Sequence, residues 1–143
     1  MARGSSGFTM IELIVVIVIL GILGAVALPR IVDLGTEARH EAAQGMAGTL
    51  SSAMSVNYGG CSATGHSTAG ASADRCRQVS NCTDGALLLM GVSANPFTQA
   101  GTTYTITATA LGANGSTASC ELTASRAGGG AEVAHFVGVS AGN

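Results

Sequence analysis

Apolar and polar positions fall into three successive patterns along this chain. From Phe8 to Leu28 the sequence reads FTMIELIVVIVILGILGAVAL, an apolar run whose one charge is Glu12. Such a run is apolar on every face, and as a helix rising 1.5 Å per residue it would reach about 31 Å, enough to cross a bilayer. Beyond Pro29 the period changes. Ile31, Leu34, Ala38, Ala42, Met46, Leu50, Ala53 and Met54 recur at helical spacing, with Arg30, Glu37, Arg39, Glu41 and Gln44 around the other faces. This predicts an amphipathic second half of one long helix, weakened by Gly45 and Gly48 and stopped at Gly59-Gly60. The third pattern is strand-like: Thr103 to Ala110, Ala118 to Ala124 and Glu132 to Val139 alternate or carry strand-forming residues.

Turns at Gly112-Ala113-Asn114-Gly115 and Gly128-Gly129-Gly130 separate these runs and favour an antiparallel meander packed on the amphipathic helix. Between helix and sheet, residues 59–82 are rich in Gly, Ser, Ala and Thr and hold three of four cysteines, which predicts a long loop tied down covalently. Thr83-Asp84 ahead of Ala86 to Met90 predicts a capped short helix, although a buried strand fits the same residues. The expected fold is therefore α+β. A long N-terminal helix, half apolar and half amphipathic, carries a small antiparallel sheet.

Within the apolar run, Gly21 and Gly24 and then Pro29 weaken the helix, because glycine costs about 1 kcal/mol in a helix interior and proline about 3 kcal/mol. A bend or local melting is expected there. Small residues tolerated at a membrane-helix interface are the plainer explanation. Glu12 is harder to explain. An acid at the centre of a membrane helix costs roughly 2.5–3.5 kcal/mol, less near the membrane edge, so its presence points to function or a specific partner.

Composition narrows the function classes. With 143 residues there is room for the apolar segment and one small head. A formal charge of −2, 10% charged residues and no lysine provide no basic surface for a phosphate backbone. The 3% aromatic content, without tryptophan, leaves few stacking platforms, so nucleic acid binding is not expected. Cys61, Cys76, Cys82 and Cys120 all lie downstream of the apolar run, with fourteen, five and thirty-seven residues between them. An even count on one side of an anchor suits an oxidising compartment, and no CxxC spacing supports a metal site. Of the three possible connectivities, the one chosen is Cys61–Cys76 with Cys82–Cys120. His40, His66 and His135 fall on a helix, a loop and a strand with no ligand spacing, and no GxSxG elbow or acid–base pair suggests an enzyme. No cofactor is expected. Asn81-Cys82-Thr83 and Asn114-Gly115-Ser116 match a glycosylation pattern that arises often by chance.

MARGSSG precedes the apolar run as a polar leader whose one cation is Arg3, and the cleavable glycine stands before the run instead of after it. Gly7-Phe8-Thr9-Met10-Ile11-Glu12, with the long apolar helix and Pro29, resembles the class III signal of type IVa pilins and pseudopilins. The resemblance covers the first third of the chain. Ala27 to Leu34 is also similar to pilins of the mannose-sensitive haemagglutinin type.

The resemblance implies that a prepilin peptidase cuts between Gly7 and Phe8, and that Phe8 is N-methylated. It divides the chain into a leader (1–7), a transmembrane and filament-core helix (8–29) and a globular head (30–143). It further implies a helical homopolymer, with Glu12 facing the new amine at Phe8 of an adjacent subunit. Inner-membrane assembly machinery would take the subunit from the bacterial inner membrane to an extracellular pilus serving adhesion, motility or a related surface function. A pseudopilin of a type II secretion system is the alternative within the resemblance. A single-span membrane protein that keeps its leader is the alternative outside it.

Overall fold

The computed structural model describes residues 8–143, apart from the side chains of residues 27–34. The chain divides between Gly35 and Thr36 into two compact units. One helix, α1, runs from Met10 to Ala63. Four strands follow: β1 (Phe97–Gln99), β2 (Thr102–Ile106), β3 (Thr117–Ser125) and β4 (Ala131–Val139). They form one antiparallel sheet in the order β1-β2-β3-β4, each strand pairing with the next in sequence. The fold is α+β.

Two expectations about the helix need correction. The helix runs unbroken through Gly21, Gly24 and Pro29, so of the bend or local melting expected there, the melting is absent. Proline removes one donor and crowds one carbonyl, a local cost that strong helix formers on both sides can outweigh. Nor does Gly59-Gly60 end the helix, which continues to Ala63. Gly60 serves close approach instead: a Cβ there would lie 2.0 Å from the carbonyl oxygen of Arg75. A methyl group has no room against that backbone, so helix and loop can touch only through a glycine.

The buried stripe of α1 is also rotated from the expected one. Ala43, Ala47, Leu50, Met54, Asn57 and Cys61 are buried, at intervals of four, three, four, three and four, while Ala38 and Ala42 are exposed. Leu50 and Met54 belong to both readings. Adjacent alanines at 42 and 43 carry equal hydrophobicity, so the pattern could not choose between them.

Facing this stripe, the inner side of the sheet contributes Tyr104, Ile106, Cys120, Leu122, Ala124, Ala134 and Phe136 to the same core. Alternation along β3 and β4 is strict, with Cys120, Leu122 and Ala124 inward on β3 and Ala134, Phe136 and Gly138 inward on β4. The strand expected to reach Ala110 ends at Ile106, and the expected meander gains the short edge strand β1. Phe97 starts that strand and stacks on Tyr104, its register partner, with ring centroids 5.4 Å apart.

Residues 82–88 form a 3₁₀ helix where a short α-helix was expected, and its cap is Asn81, not Thr83. Asn81 accepts from the Thr83 amide at 3.2 Å, while Asp84 reaches back to the Asn81 amide at 2.9 Å. Asn81 also accepts from the Thr109 amide at 3.1 Å, which joins the cap to the segment after β2. Between α1 and this cap the cysteine-rich stretch holds only a 3₁₀ turn at Gly70–Ser72 and an isolated bridge from Val79 to Ala141.

Candidate functional site

The N-terminal unit is described from Phe8. Thr9 precedes the first helical residue, and its backbone amide and hydroxyl both donate to Glu12 Oε2, at 2.9 Å and 2.7 Å. The Glu12 amide returns a 3.4 Å bond to Thr9 Oγ1. This is a reciprocal capping box. Its signature, a threonine followed three residues later by a glutamate ahead of an apolar run, stands in the sequence as Thr9-Met10-Ile11-Glu12 and was passed over there. One carboxylate oxygen thus fixes the helix start, where negative charge also complements the helix dipole. No described bond engages Glu12 Oε1.

From Met10 to Val26 the apolar side chains stand exposed around the helix, from Met10 at 83% to Val15 at 48%. Within their own unit they form no buried cluster. Phe8 is 82% exposed. Among the described residues no helix is long and apolar enough to cross a membrane. The helical stretch with described side chains, Met10 to Val26, is about 25 Å long against a hydrocarbon core of about 30 Å. The leader, Arg3 and Gly7 lie outside the described residues, as do the side chains of Pro29 and its neighbours up to Leu34.

In the head, disulfides join Cys61 to Cys76 and Cys82 to Cys120. The first ties the last turn of α1 to the loop beyond it. The second ties the 3₁₀ helix to the inner face of β3. His40 lies 3.8 Å from Glu132 of β4, His66 accepts from the Gly142 amide at 3.3 Å, and His135 faces outward from β4. Three different settings therefore hold the three histidines. Among the described residues no group of three His, Cys, Asp or Glu is placed to hold a metal ion. Asn114 spends its side chain on Asn143, donating to the carbonyl oxygen at 2.8 Å and accepting from the amide at 2.9 Å.

Comparison with known proteins bears on the N-terminal segment. Residues 2–28 match the prokaryotic N-terminal methylation motif, which spans the Gly7–Phe8 junction and Glu12. The chain is also 46% identical over 52 residues to the type IV narrow pilus major component PilA5 of Thermus thermophilus. Both matches make the N-terminal part of this chain similar to type IV pilins. The pilin match covers 36% of this chain and spans about half the length of the relative, 45%. No solved structure matches this chain. The features that carry the likeness are all at the N-terminal end.

Proposed function

We propose that this chain is a type IV pilin, a structural subunit of a pilus, cut by a prepilin peptidase between Gly7 and Phe8, N-methylated at Phe8 and polymerised through its N-terminal helix. The observation that carries the reading is the apolar surface of α1 from Met10 to Val26, which finds no partner within its own unit. Exposed to water, a surface of that kind is costly, at about 25 cal/mol per Å². Lipid before assembly and identical helices after assembly both remove it from water, so one segment serves both states. Branched side chains from Val15 to Ile19 give a stiff, ridged face suited to packing between neighbours.

In this account Glu12 pairs with the amine that cleavage creates at Phe8 of an adjacent subunit. The capping box is compatible with it, because Thr9 engages one carboxylate oxygen. At 4 Å and an effective dielectric of about 20 the pair attracts by about 4 kcal/mol before desolvation is counted. The pairing therefore sets register between subunits more than it adds stability. The subunit resides in the bacterial inner membrane until the assembly machinery adds it to an extracellular filament. Two oxidised disulfides suit a head on the far side of that membrane.

Electron microscopy of sheared cell-surface fibres, with peptide identification, tests the reading. Surface fibres composed of this chain support it. A chain found only in the cell envelope, beside a type II secretion system, would move it to the pseudopilins.

A further inference from the structure

An open groove of about 640 Å³ runs along the head between α1 and the disulfide-tied loop. Ala53 and Val56 of α1 and Leu87 and Leu88 of the 3₁₀ helix form its apolar part, and Val56 is 76% exposed. Arg75 and Arg77 line the same groove from either side of buried Cys76, and both are exposed. The loop that carries them is firmly held. Cys76 is bonded to Cys61, and Asn57 clasps the backbone of Arg77 at both its amide and its carbonyl. Asp74 is the one acid in the lining, which leaves two cations against one anion. Neither arginine is in an ion pair among the described residues, and the one bond of the Arg77 guanidinium there is the one it donates to the Leu87 carbonyl.

Two carboxylates elsewhere on the head stand in the complementary condition. Glu37 and Glu41 are one helical turn apart on α1, both exposed and neither ion-paired among the described residues. Beside them Ala38, Ala42 and Gly45 are exposed and small, so another surface can approach that face closely. The rotated buried stripe is what leaves this face free.

We infer that the groove at Arg75 and Arg77 receives the Glu37–Gly45 face of α1 from a second copy of this chain. The inference rests on the filament reading, and it names the head surfaces that would meet in the filament. Charge complementarity selects the occupant, since two arginines meet two glutamates while small side chains let the helix sit against Ala53, Val56 and Leu88. Within one copy the two surfaces cannot meet, because Glu41 precedes Ser52 and Val56 by about 16–23 Å along the same helix. A contact between two different surfaces is heterologous, and repeated without closure it builds a helical filament.

The test is a charge swap in the full-length chain, with sheared filaments quantified against the membrane-held subunit pool. Non-reducing electrophoresis of that pool checks that both disulfides have formed. Arg75→Glu with Arg77→Glu is expected to lower filament yield about tenfold, the effect of about 1.4 kcal/mol per added subunit. Glu37→Arg with Glu41→Arg is expected to do the same, and the four changes together to restore filaments. If either reversed pair fails to accumulate as subunit, Arg75→Gln with Arg77→Gln is read instead, with a loss of about threefold expected for each lost pairing. Filaments undiminished by reversal or neutralisation, or a fourfold variant that stays defective, would overturn the groove pairing and leave the filament reading intact. A wild-type chain that forms no filaments would overturn the filament reading and the pairing with it.

Discussion

Asn57 holds Arg77 by both of its backbone groups: Asn57 Nδ2 donates to the Arg77 carbonyl at 2.8 Å, and the Arg77 amide donates to Asn57 Oδ1 at 2.9 Å. The asparagine is buried on α1, so a side-chain amide stands in for a strand neighbour and fixes the loop to the helix. Asn57→Ala would leave the Arg77 groups without that partner, at about 1–3 kcal/mol for each group that stays buried. Thermal unfolding of the detergent-solubilised chain, followed by circular dichroism, should show a lower midpoint. Asn57→Leu should be at least as damaging. An unchanged midpoint for both variants would mean that the disulfide alone holds the loop.

Gly60 tests the same contact from the other side. Because a Cβ there would lie 2.0 Å from the Arg75 carbonyl oxygen, Gly60→Ala must push backbone against backbone. A loss of about 1–3 kcal/mol is expected, although alanine is the better helix former by about 1 kcal/mol. Gly59→Ala meets nothing within 4 Å and should be neutral or stabilising. The pair of variants compared in one unfolding experiment separates close approach from helix propensity.

The two disulfides should differ in consequence. Cys82–Cys120 closes a separation of 38 residues inside the main core, and Cys61–Cys76 closes one of 15 in a smaller cluster. In the chain-entropy model these are worth about 4 and about 3 kcal/mol. Paired Cys→Ser changes at 82 and 120 also place hydroxyls in a core without partners, so they should depress the unfolding midpoint further than the 61 and 76 pair. Equal midpoints would contradict this ordering.

Much of this fold was legible in the residues, and the failures have identifiable causes. The period-two runs in β3 and β4 located both strands within a residue, because alternating burial over nine residues leaves little ambiguity. β1 was missed since Phe97–Gln99 is three residues long and its identity comes from pairing with β2. Gly59-Gly60 looked like a stop because glycine at a close approach and glycine at a helix end are the same letter. Asn81 caps through the local Thr83 amide, but the Thr109 amide that also donates to it lies after β2, far away in sequence, and gave no local signal. At the N-terminal site, the role proposed for Glu12 came from the charge in an apolar run. Its capping partner Thr9 needed only the three-residue spacing.

Glu12 variants separate the two roles of that carboxylate. Glu12→Gln keeps a side chain suited to the capping box but removes the charge, so the helix start should survive while filament yield falls steeply. Thr9→Ala removes the cap, at about 1 kcal/mol, and leaves the charge, so assembly should fall far less. Glu12→Asp should be milder than Glu12→Gln. Filament counts by electron microscopy, normalised to subunit in the membrane, read the series. Normal filaments from Glu12→Gln would leave Glu12 as a helix cap and no more.

Maturation at Gly7–Phe8 underlies every assembly step, because only a free amine at Phe8 offers Glu12 a partner. Intact-mass measurement of subunits from sheared native fibres reads it directly. The account predicts a chain that begins at Phe8 and carries one added methyl group on its amine. Fibres whose subunits still begin at Met1 or retain Arg3 would contradict it.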